Sequence, residues 1–508
     1  MSPPLPSRNA ARSRFDVVRA RIGAVLAPLV FLALLLAPTG LPAPAHRLAA
    51  IMAATVVLWI SEAIPLAATA LLAPSLAVVL DITSATRAFS PFASPLIFLF
   101  LGGFMLAAGL SEQGLDRRAA LWLLTRRWVH GSPARARAAV GLGAFACSMW
   151  ISNTATTAML IPVALGLSTA IRGAASPEDQ PKFDRFAEGL LLTLTYACSI
   201  GGIATPIGTA PNVIALDFLG RNAGIHLDFF QWMSFGLPTG LATLAIVLLW
   251  AGRRFPAPVD RLDGLTAEVE RQLAALGPLS PGERRAAGVF LLAVAGWLLP
   301  SVLKFTLGPD HPTTAWADRG LEEGVVAVIA GALLCVIPGG GPRGEPVLPW
   351  SRAMQLDWAT LYLLGGGLSL GAMMFDTGLA EAIARGFLAA FGPLVTSPFG
   401  LLAGSTFLVM WLTEITSNVS TTSMMVPVLI AIAQAGGHDP LPITVCVTLA
   451  ASFAFTMPVS TPPNAIAYGT GLIRIQSMIR FGLVLNLLSY LVLLACGALL
   501  LPLLGLGG

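Results

Sequence analysis

Charged side chains are scarce in this chain of 508 residues. Asp, Glu, Lys and Arg make up only 11% of it, whereas soluble domains carry about 25%. Because 56% of the residues are apolar and the mean hydropathy is +0.78, the composition excludes an ordinary soluble enzyme and indicates many lipid-facing segments. The net charge of +4 is small and its arginines lie in short loops, so it bears on membrane topology and indicates no nucleic-acid partner.

Cysteine and histidine are also rare, with five of each. The cysteines lie in apolar runs, their number is odd and no CxxC pair occurs, so we expect buried thiols rather than disulfides or a zinc site. No HExxH pair is present. The pattern G-x-S-x-G at 367–371 matches the motif around a catalytic serine nucleophile. That motif requires a strand-to-helix turn, whereas residues 367–371 lie in an apolar run. A polytopic membrane enzyme is therefore the disfavoured alternative.

Long apolar segments dominate the sequence instead. Since one crossing takes roughly 20 mostly apolar residues, they predict an all-α polytopic membrane protein with about 11 transmembrane helices. Arginine-rich loops are expected in the cytoplasm and acidic loops outside, which assigns the N-terminal arm, 112–137 and 252–285 to the cytoplasm and 306–323 to the outside. We therefore expect an inner-membrane protein whose N-terminus is cytoplasmic. The arm and first apolar run also have the outline of a signal peptide, but we expect this span to be retained.

Two apolar segments, 138–171 and 397–433, are too long for one crossing. The alternation of basic and non-basic loops fits better if each enters the membrane and returns on the same side. Both segments are therefore predicted to be re-entrant helical hairpins, whose tips must be buried in protein or line a cavity.

An internal repeat supports this prediction. Residues 152–163 recur at 417–428 with seven of twelve positions identical, and the proline-rich stretch 206–215 recurs at 458–467. The charge pattern gives the two copies opposite orientations in the membrane. Inverted repeats with broken helices place a substrate site near the bilayer midplane, so we predict two hairpins and two broken helices around such a site.

This repeat divides the chain into five parts. Residues 1–93 form an N-terminal arm and the helices that follow it, and 481–508 form a C-terminal transmembrane helix. Between them lie a first inverted repeat at 94–251, with hairpin 138–171 and broken helix 187–217, a cytoplasmic linker at 252–285 that is not a folded domain, and a second repeat at 286–480, with hairpin 397–433 and broken helix 441–472.

Each repeat places two polar, helix-breaking motifs inside apolar sequence. Proline removes a backbone donor and interrupts the helix, which frees carbonyls for a cation and amide groups for an anion. Ser, Thr and Asn side chains suit both tasks. The alternative is an ordinary helix kink whose hydroxyls bond back to the i−4 carbonyl. Four such motifs in two matched pairs favour a binding site.

These motifs resemble those of the divalent anion:sodium symporter family, which carries dicarboxylates, citrate or sulfate. The resemblance covers about residues 94–480 and implies an elevator-type homodimer with Na⁺ as the coupling ion. It implies that the helices of residues 1–93 and the span after the linker serve mainly as scaffold helices. It also implies two sodium sites and a substrate site between the hairpin tips. The first sodium site would use Ser148, Ser152, Asn153 and Gly208, and the second Thr413, Thr416, Asn418 and Ser460. The substrate site would use Ser152, Asn153, Thr154, Thr209, Ser417, Asn418, Val419, Thr461 and Pro462.

Two residues of the second hairpin, Glu414 and Val419, do not fit a set of hydroxyl and amide ligands. Val419 replaces a threonine of the family pattern, which removes one possible hydrogen bond to an anion. Glu414 lies three residues before Ser417, and we expect it to anchor the hairpin by hydrogen bonds rather than to serve the cation electrostatically.

The sequence thus predicts a Na⁺-coupled symporter for small divalent anions, most simply C4-dicarboxylates such as succinate. A Na⁺-independent dicarboxylate exchanger, a sulfate or citrate carrier, and a pore remain alternatives. No arginine lies near the motif tips, so bound Na⁺ would supply the charge that the anion needs.

Overall fold

The computed structural model describes residues 14–129, 131–173, 178–261, 265–340, 344–395 and 397–506. Within these ranges the secondary structure is helical, apart from one β-bridge between Pro338 and Pro346. Ten segments of the described residues form helices long and apolar enough to cross a membrane. The predicted all-α polytopic class is confirmed. The first thirteen residues of the predicted N-terminal arm lie outside the described ranges.

The first half of the chain contains eleven α-helices among its described residues. They are α1 (Arg14–Leu36), α2 (Ala43–Ser61), α3 (Leu66–Val79), α4 (Ala85–Phe89), α5 (Pro95–Glu112), α6 (Leu115–Leu124), α7 (Pro133–Ser148), α8 (Asn153–Gly173), α9 (Gln180–Gly201), α10 (Ala210–Phe218) and α11 (Phe229–Arg254). Short 3₁₀ turns cover Ser90–Ala93 and Gly202–Ala204, and a π-turn covers Leu219–Ala223.

The second half repeats much of this order. Its helices are α12 (Leu265–Ala275), α13 (Pro281–Leu307), α14 (Pro312–Gly320), α15 (Glu323–Val336), α16 (Trp350–Ala353), α17 (Trp358–Asp376), α18 (Leu379–Val395), α19 (Pro398–Leu412), α20 (Asn418–Ala435), α21 (Pro440–Ala451), α22 (Pro462–Tyr468), α23 (Ile475–Ala495) and α24 (Leu501–Leu503), with a π-turn at Cys496–Leu500.

Both long apolar segments are interrupted where the sequence predicted a tip. The first hairpin consists of α7 and α8, whose tip is 149–152, and both arms pack along α9. The second hairpin consists of α19 and α20, whose tip is 413–417, and both arms pack along α21. The first hairpin begins five residues before the predicted 138–171, because Ser132 and Pro133 suit a helix start. The second begins at Pro398, within the predicted 397–433, and both end two residues later than predicted.

Both predicted helix breaks are present as well. In the first broken helix, α9 and the 3₁₀ turn after it are separated from α10 by residues 205–209. In the second, α21 and α22 are separated by residues 452–461. Thr209 and Thr461, the residues just before the second half-helices, are both extended, with φ of −151° and −141°. Prolines follow each of them and cannot continue a preceding helix.

Residues 252–285, predicted to be a cytoplasmic linker, contain a helix that was not predicted from the sequence. This helix, α12, packs against α6 and α8. Arg118 of α6 binds Glu283 at the start of α13, with Nε 2.5 Å from Oε1, and donates to the carbonyls of Leu276 and Gly277. The linker is therefore docked onto the first repeat. Its short, polar helix gives too weak an apolar pattern to be recognised from sequence.

Close glycine contacts join the two halves in a symmetric way. A methyl group on Gly102 of α5 would overlap the Ala327 carbonyl oxygen in α15, and one on Gly366 of α17 would overlap the Ala70 carbonyl oxygen in α3. Gly102 and Gly366 are equivalent in the repeat. This pattern is expected if the twofold relation also includes α3 and α15.

We predict that Gly102→Ala lowers the thermal stability of the protein. The added methyl group meets backbone atoms of α15 that cannot move without displacing that helix, and overpacking of this kind costs about 1–3 kcal/mol. The measurement is the unfolding midpoint of the purified protein in detergent. Gly288→Ala is the matched control, since a methyl group there meets nothing within 4 Å. Equal midpoints for both variants would contradict the prediction.

Candidate functional site

The tip of the first hairpin joins two of the predicted site residues directly. Ser148, the last residue of α7, is fully buried, and its Oγ donates to Asn153 Oδ1 at 2.8 Å. Asn153 is the first residue of α8. Ser152 Oγ accepts from the Ala155 N–H at 3.3 Å and thereby caps this helix. Thr154 is exposed in the first helical turn.

The second hairpin repeats this geometry. Thr413 Oγ1 lies 2.9 Å from Asn418 Oδ1 and 2.7 Å from the carbonyl oxygen of Ala451 on α21. Ser417 Oγ accepts from the Ser420 N–H at 3.1 Å and caps α20. A hydroxyl five residues before an asparagine thus contacts its amide oxygen in both tips. The Thr416 hydroxyl contacts the Thr421 hydroxyl, which lies one turn into α20.

Glycines let oxygen atoms of the first repeat approach one another. A methyl group on Gly202 would lie 2.5 Å from Asn153 Oδ1, and one on Gly208 would overlap the Gly202 carbonyl oxygen. The hairpin tip and the unwound segment are thus in contact. Thr205 adds a hydrogen bond from its Oγ1 to the Met149 carbonyl at 2.5 Å. Gly202 therefore lies between Asn153 and Gly208, a predicted site residue.

Two buried asparagines hold the unwound segments in the same manner. Asn212 Nδ2 donates to the carbonyls of Gly202 and Thr205, at 2.9 and 2.8 Å, ten and seven residues earlier. Asn464 Nδ2 donates to those of Ala454 and Met457, at 2.9 and 3.0 Å, again ten and seven residues earlier. Both Oδ1 atoms are buried without a hydrogen-bond partner. Both residues lie in the repeated proline-rich motif, but the sequence alone gave them no role.

Glu414 anchors the second hairpin, as predicted. Its buried carboxylate accepts hydrogen bonds from the backbone N–H groups of Phe455 and Thr456 at 2.9 and 3.0 Å, from Ser460 Oγ at 2.7 Å and from Asn486 Nδ2 at 2.7 Å. All four donors are neutral. The carboxylate thus satisfies amides that the broken helix leaves free, and it brings Ser460, a predicted sodium ligand, against the hairpin tip.

The two repeats meet through their broken helices. Helix α22 packs against α8 and α9 of the first repeat, and α10 packs against α20 and α21 of the second. Thr461 caps α22 by accepting from the Asn464 N–H at 3.3 Å, and Pro462 follows it exposed. Thr209 begins α10 without a side-chain cap. Val419 is half-buried in the first turn of α20 and packs against the apolar core.

The arrangement offers hard oxygen ligands and neutral donors side by side. Hydroxyl, amide and backbone oxygens suit cations such as Na⁺, and free hydroxyl and amide hydrogens suit a carboxylate. The family profile described as the sodium:sulfate symporter transmembrane region matches residues 18–506. The chain belongs to the divalent anion:sodium symporter family.

Relatives support this membership over nearly the whole chain. A protein of Staphylococcus saprophyticus named sodium-dependent dicarboxylate transporter SdcS is 32% identical over 477 residues, which cover 93% of this chain and 89% of the relative. The protein of the same name from Staphylococcus aureus strain USA300 is 32% identical over 480 residues, with the same coverage. The family and these relatives are transporters, not enzymes.

Two solved transporters share the fold. The YdaH transporter of Alcanivorax borkumensis aligns with a TM-score of 0.54 and 17% identity, over 91% of this chain and 98% of its own. MtrF of Neisseria gonorrhoeae aligns with a TM-score of 0.56 and 12% identity, over 93% and 97%. At these identities, the likeness concerns the architecture alone, and it agrees with the helical transporter fold described above.

Replacing Glu414 by glutamine is predicted to destabilise the protein. The amide NH₂ cannot accept a hydrogen bond. If it replaces Oε2, the hydrogen bond from Ser460 Oγ is lost and the NH₂ group faces the Thr456 N–H; if it replaces Oε1, both backbone N–H groups and Asn486 lose their short acceptor contact. Either orientation costs about 1–3 kcal/mol. The measurement is the thermal unfolding midpoint in detergent. Glu381→Gln, at an exposed position of α18, is the control with the same chemical change. A midpoint unchanged in Glu414→Gln would show that the carboxylate does not anchor the hairpin.

Proposed function

We propose that this chain carries divalent organic anions, specifically C4-dicarboxylates such as succinate, across the inner membrane by symport with Na⁺. The observation that carries the proposal is the duplicated hydroxyl–amide pair beside a broken helix, Ser148 with Asn153 and Thr413 with Asn418. The names of the two staphylococcal relatives, sodium-dependent dicarboxylate transporters, support the same substrate class and ion.

In this proposal each pair forms the centre of one sodium site. The first site consists of Ser148, Ser152, Asn153 and the backbone of Gly208. The contact of Gly202 with Asn153 Oδ1 supports it, because only a glycine leaves room for the oxygens to converge. The second consists of Thr413, Asn418 and the backbones of Thr416 and Ser460. Ser460 is held at the tip by its hydrogen bond to Glu414.

The anion would lie between the two tips. Ser152, Asn153 and Thr154 face it from one repeat, and Ser417, Asn418 and Val419 from the other, with Thr209, Thr461 and Pro462 nearby. The packing of α22 on α8 and of α10 on α20 supports this placement, since it brings each broken helix to the hairpin of the other repeat. Bound Na⁺ offsets the negative charge of the anion, which is the physical reason for coupling.

The remaining parts of the proposal concern the whole molecule. The five-part division, with repeats at 94–251 and 286–480, separates a scaffold from a moving transport unit. The N-terminus lies in the cytoplasm, as the arginine distribution favours, and the protein forms a homodimer, as its family resemblance implies.

Purified protein in liposomes is predicted to take up radiolabelled succinate only when an inward Na⁺ gradient is present. Replacing Na⁺ by K⁺ should abolish net uptake, because the proposal couples the anion to Na⁺ bound at the two hairpin tips. Protein-free liposomes are the control. Uptake that persists without Na⁺ would contradict symport and favour a Na⁺-independent dicarboxylate exchanger. Uptake of sulfate or citrate in preference to succinate would contradict the proposed substrate.

Asn153→Ala and Asn418→Ala are each predicted to abolish Na⁺-dependent succinate uptake, since each change removes the amide oxygen at the centre of one sodium site. The initial uptake rate, corrected for the amount of reconstituted protein, is the measurement. Asn222→Ala is the matched control, because the Asn222 side chain lies outside the tips and its Oδ1 has no hydrogen-bond partner to lose. Full transport by both site variants would defeat the assignment.

Val419→Thr is predicted to tighten succinate binding. The new hydroxyl sits at the position equivalent to Thr154 and adds one donor toward the anion, worth about two- to tenfold in affinity. The measurement is succinate affinity of the purified protein at saturating Na⁺. Val428→Thr, on the same helix farther from the tip, controls for adding a hydroxyl to α20. Unchanged affinity in Val419→Thr would remove this position from the substrate site.

A further inference from the structure

Four aromatic rings hold the tip of the first hairpin against α13. Trp150, a tip residue, lies nearly parallel to Phe229 and Trp297, with ring centroids 6.1 and 6.4 Å away and interplanar angles of 13° and 6°. Phe229 and Trp297 are themselves stacked at 4.8 Å. Phe290 meets the Trp150 ring edge-on at 5.1 Å. Phe290 and Trp297 both belong to α13.

This contact joins two separate hydrophobic cores. The small core consists of side chains from α5, α13 and α15 together with Phe229, Ile207 and the segment before α17, and the large core contains most of the other helices. Trp150 packs against both. Trp297 is fixed in its place, since its Nε1 donates to the Glu323 carbonyl at 3.0 Å. The hairpin tip therefore rests on a rigid aromatic surface.

The second hairpin lacks such a contact among the residues that the structure describes. Ile415, the repeat equivalent of Trp150, is 57% exposed. The unwound segments differ in the same way, since Ile207 is 6% exposed and packs near Gly103 of α5, whereas its equivalent Val459 is 67% exposed. The structure is thus asymmetric about its own repeat, with one tip covered and the other open.

We propose that Trp150 is a positioning residue that seats the first hairpin tip, with its proposed sodium ligands, on α13. The proposal rests on the proposed transport function. Trp150 lies two residues from Ser148 and two from Ser152, so the position of its ring also sets that of the two hydroxyls. Removing the ring should uncover the first unwound segment, including Ile207, without changing any residue of the sodium or substrate sites.

Thiol labelling of Ile207→Cys tests this directly, in a background whose five native cysteines are replaced by alanine. The labelling rate with a water-soluble thiol reagent is measured in detergent with Na⁺ present, with and without Trp150→Ala. An aromatic pair shifts an equilibrium by about fivefold, and Trp150 makes several such contacts, so we expect at least about that increase. A second protein that keeps only the fully buried Cys446 reports whether the fold survives Trp150→Ala, because this thiol becomes reactive only on unfolding, and Ile415→Ala is the control in the equivalent tip position.

Trp150→Phe keeps an aromatic ring, and we expect it to restore slow labelling at position 207 even if Trp150→Ala lowers stability. The proposal is supported if Trp150→Ala accelerates labelling of the Ile207→Cys thiol while Trp150→Phe and Ile415→Ala do not. It is overturned if this thiol reacts at the same rate in all four backgrounds, or if Ile415→Ala has the same effect as Trp150→Ala. Labelling does not require transport. A protein that fails to carry succinate with Na⁺ would refute the proposed function, and the labelling rates would still test whether Trp150 seats the hairpin tip.

Discussion

The structure depends on how backbone groups freed by broken helices are satisfied inside an apolar environment. An unpaired N–H or carbonyl costs several kcal/mol where no water can reach it. Asn212 and Asn464 solve this problem in each repeat by donating to carbonyls ten and seven residues earlier. Because these bonds hold the chain open instead of letting it rewind, they preserve the polar segments beside the hairpin tips.

The two repeats share this scheme but differ in charge. In the second, the carboxylate of Glu414 accepts from the backbone N–H groups of the unwound segment. In the first, the equivalent residue is Met149, and Thr205 donates to its carbonyl instead. Of the two tips, the second therefore brings a formal negative charge close to its proposed cation ligands.

Much of this architecture was predictable from the sequence, because apolar length and proline placement determine helix ends inside a membrane. The breaks at both tips and in both proline-rich segments lie where the repeated motifs lie, and Glu414 anchors its hairpin as expected. The family resemblance groups Ser148 with Asn153 and Thr413 with Asn418, and each pair is in hydrogen-bond contact. Their role as sodium ligands stays a prediction.

Other features depend on contacts between distant segments and carry no local pattern. The docking of α12 requires Arg118 and Glu283, which are far apart in sequence. The roles of Asn212 and Asn464 follow from which carbonyls come within reach after the helices unwind. The aromatic contact of Trp150 involves α11 and α13, so neither this contact nor the unequal exposure of Ile207 and Val459 follows from the repeated motifs.

A cryo-EM structure determined in the presence of Na⁺ and succinate tests the central claim most directly. The account predicts density for one cation in coordination contact with Asn153 Oδ1, a second with Asn418 Oδ1, and a dicarboxylate between the two tips. A map that shows succinate bound away from both tips, or no cation beside either asparagine at saturating Na⁺, would contradict it.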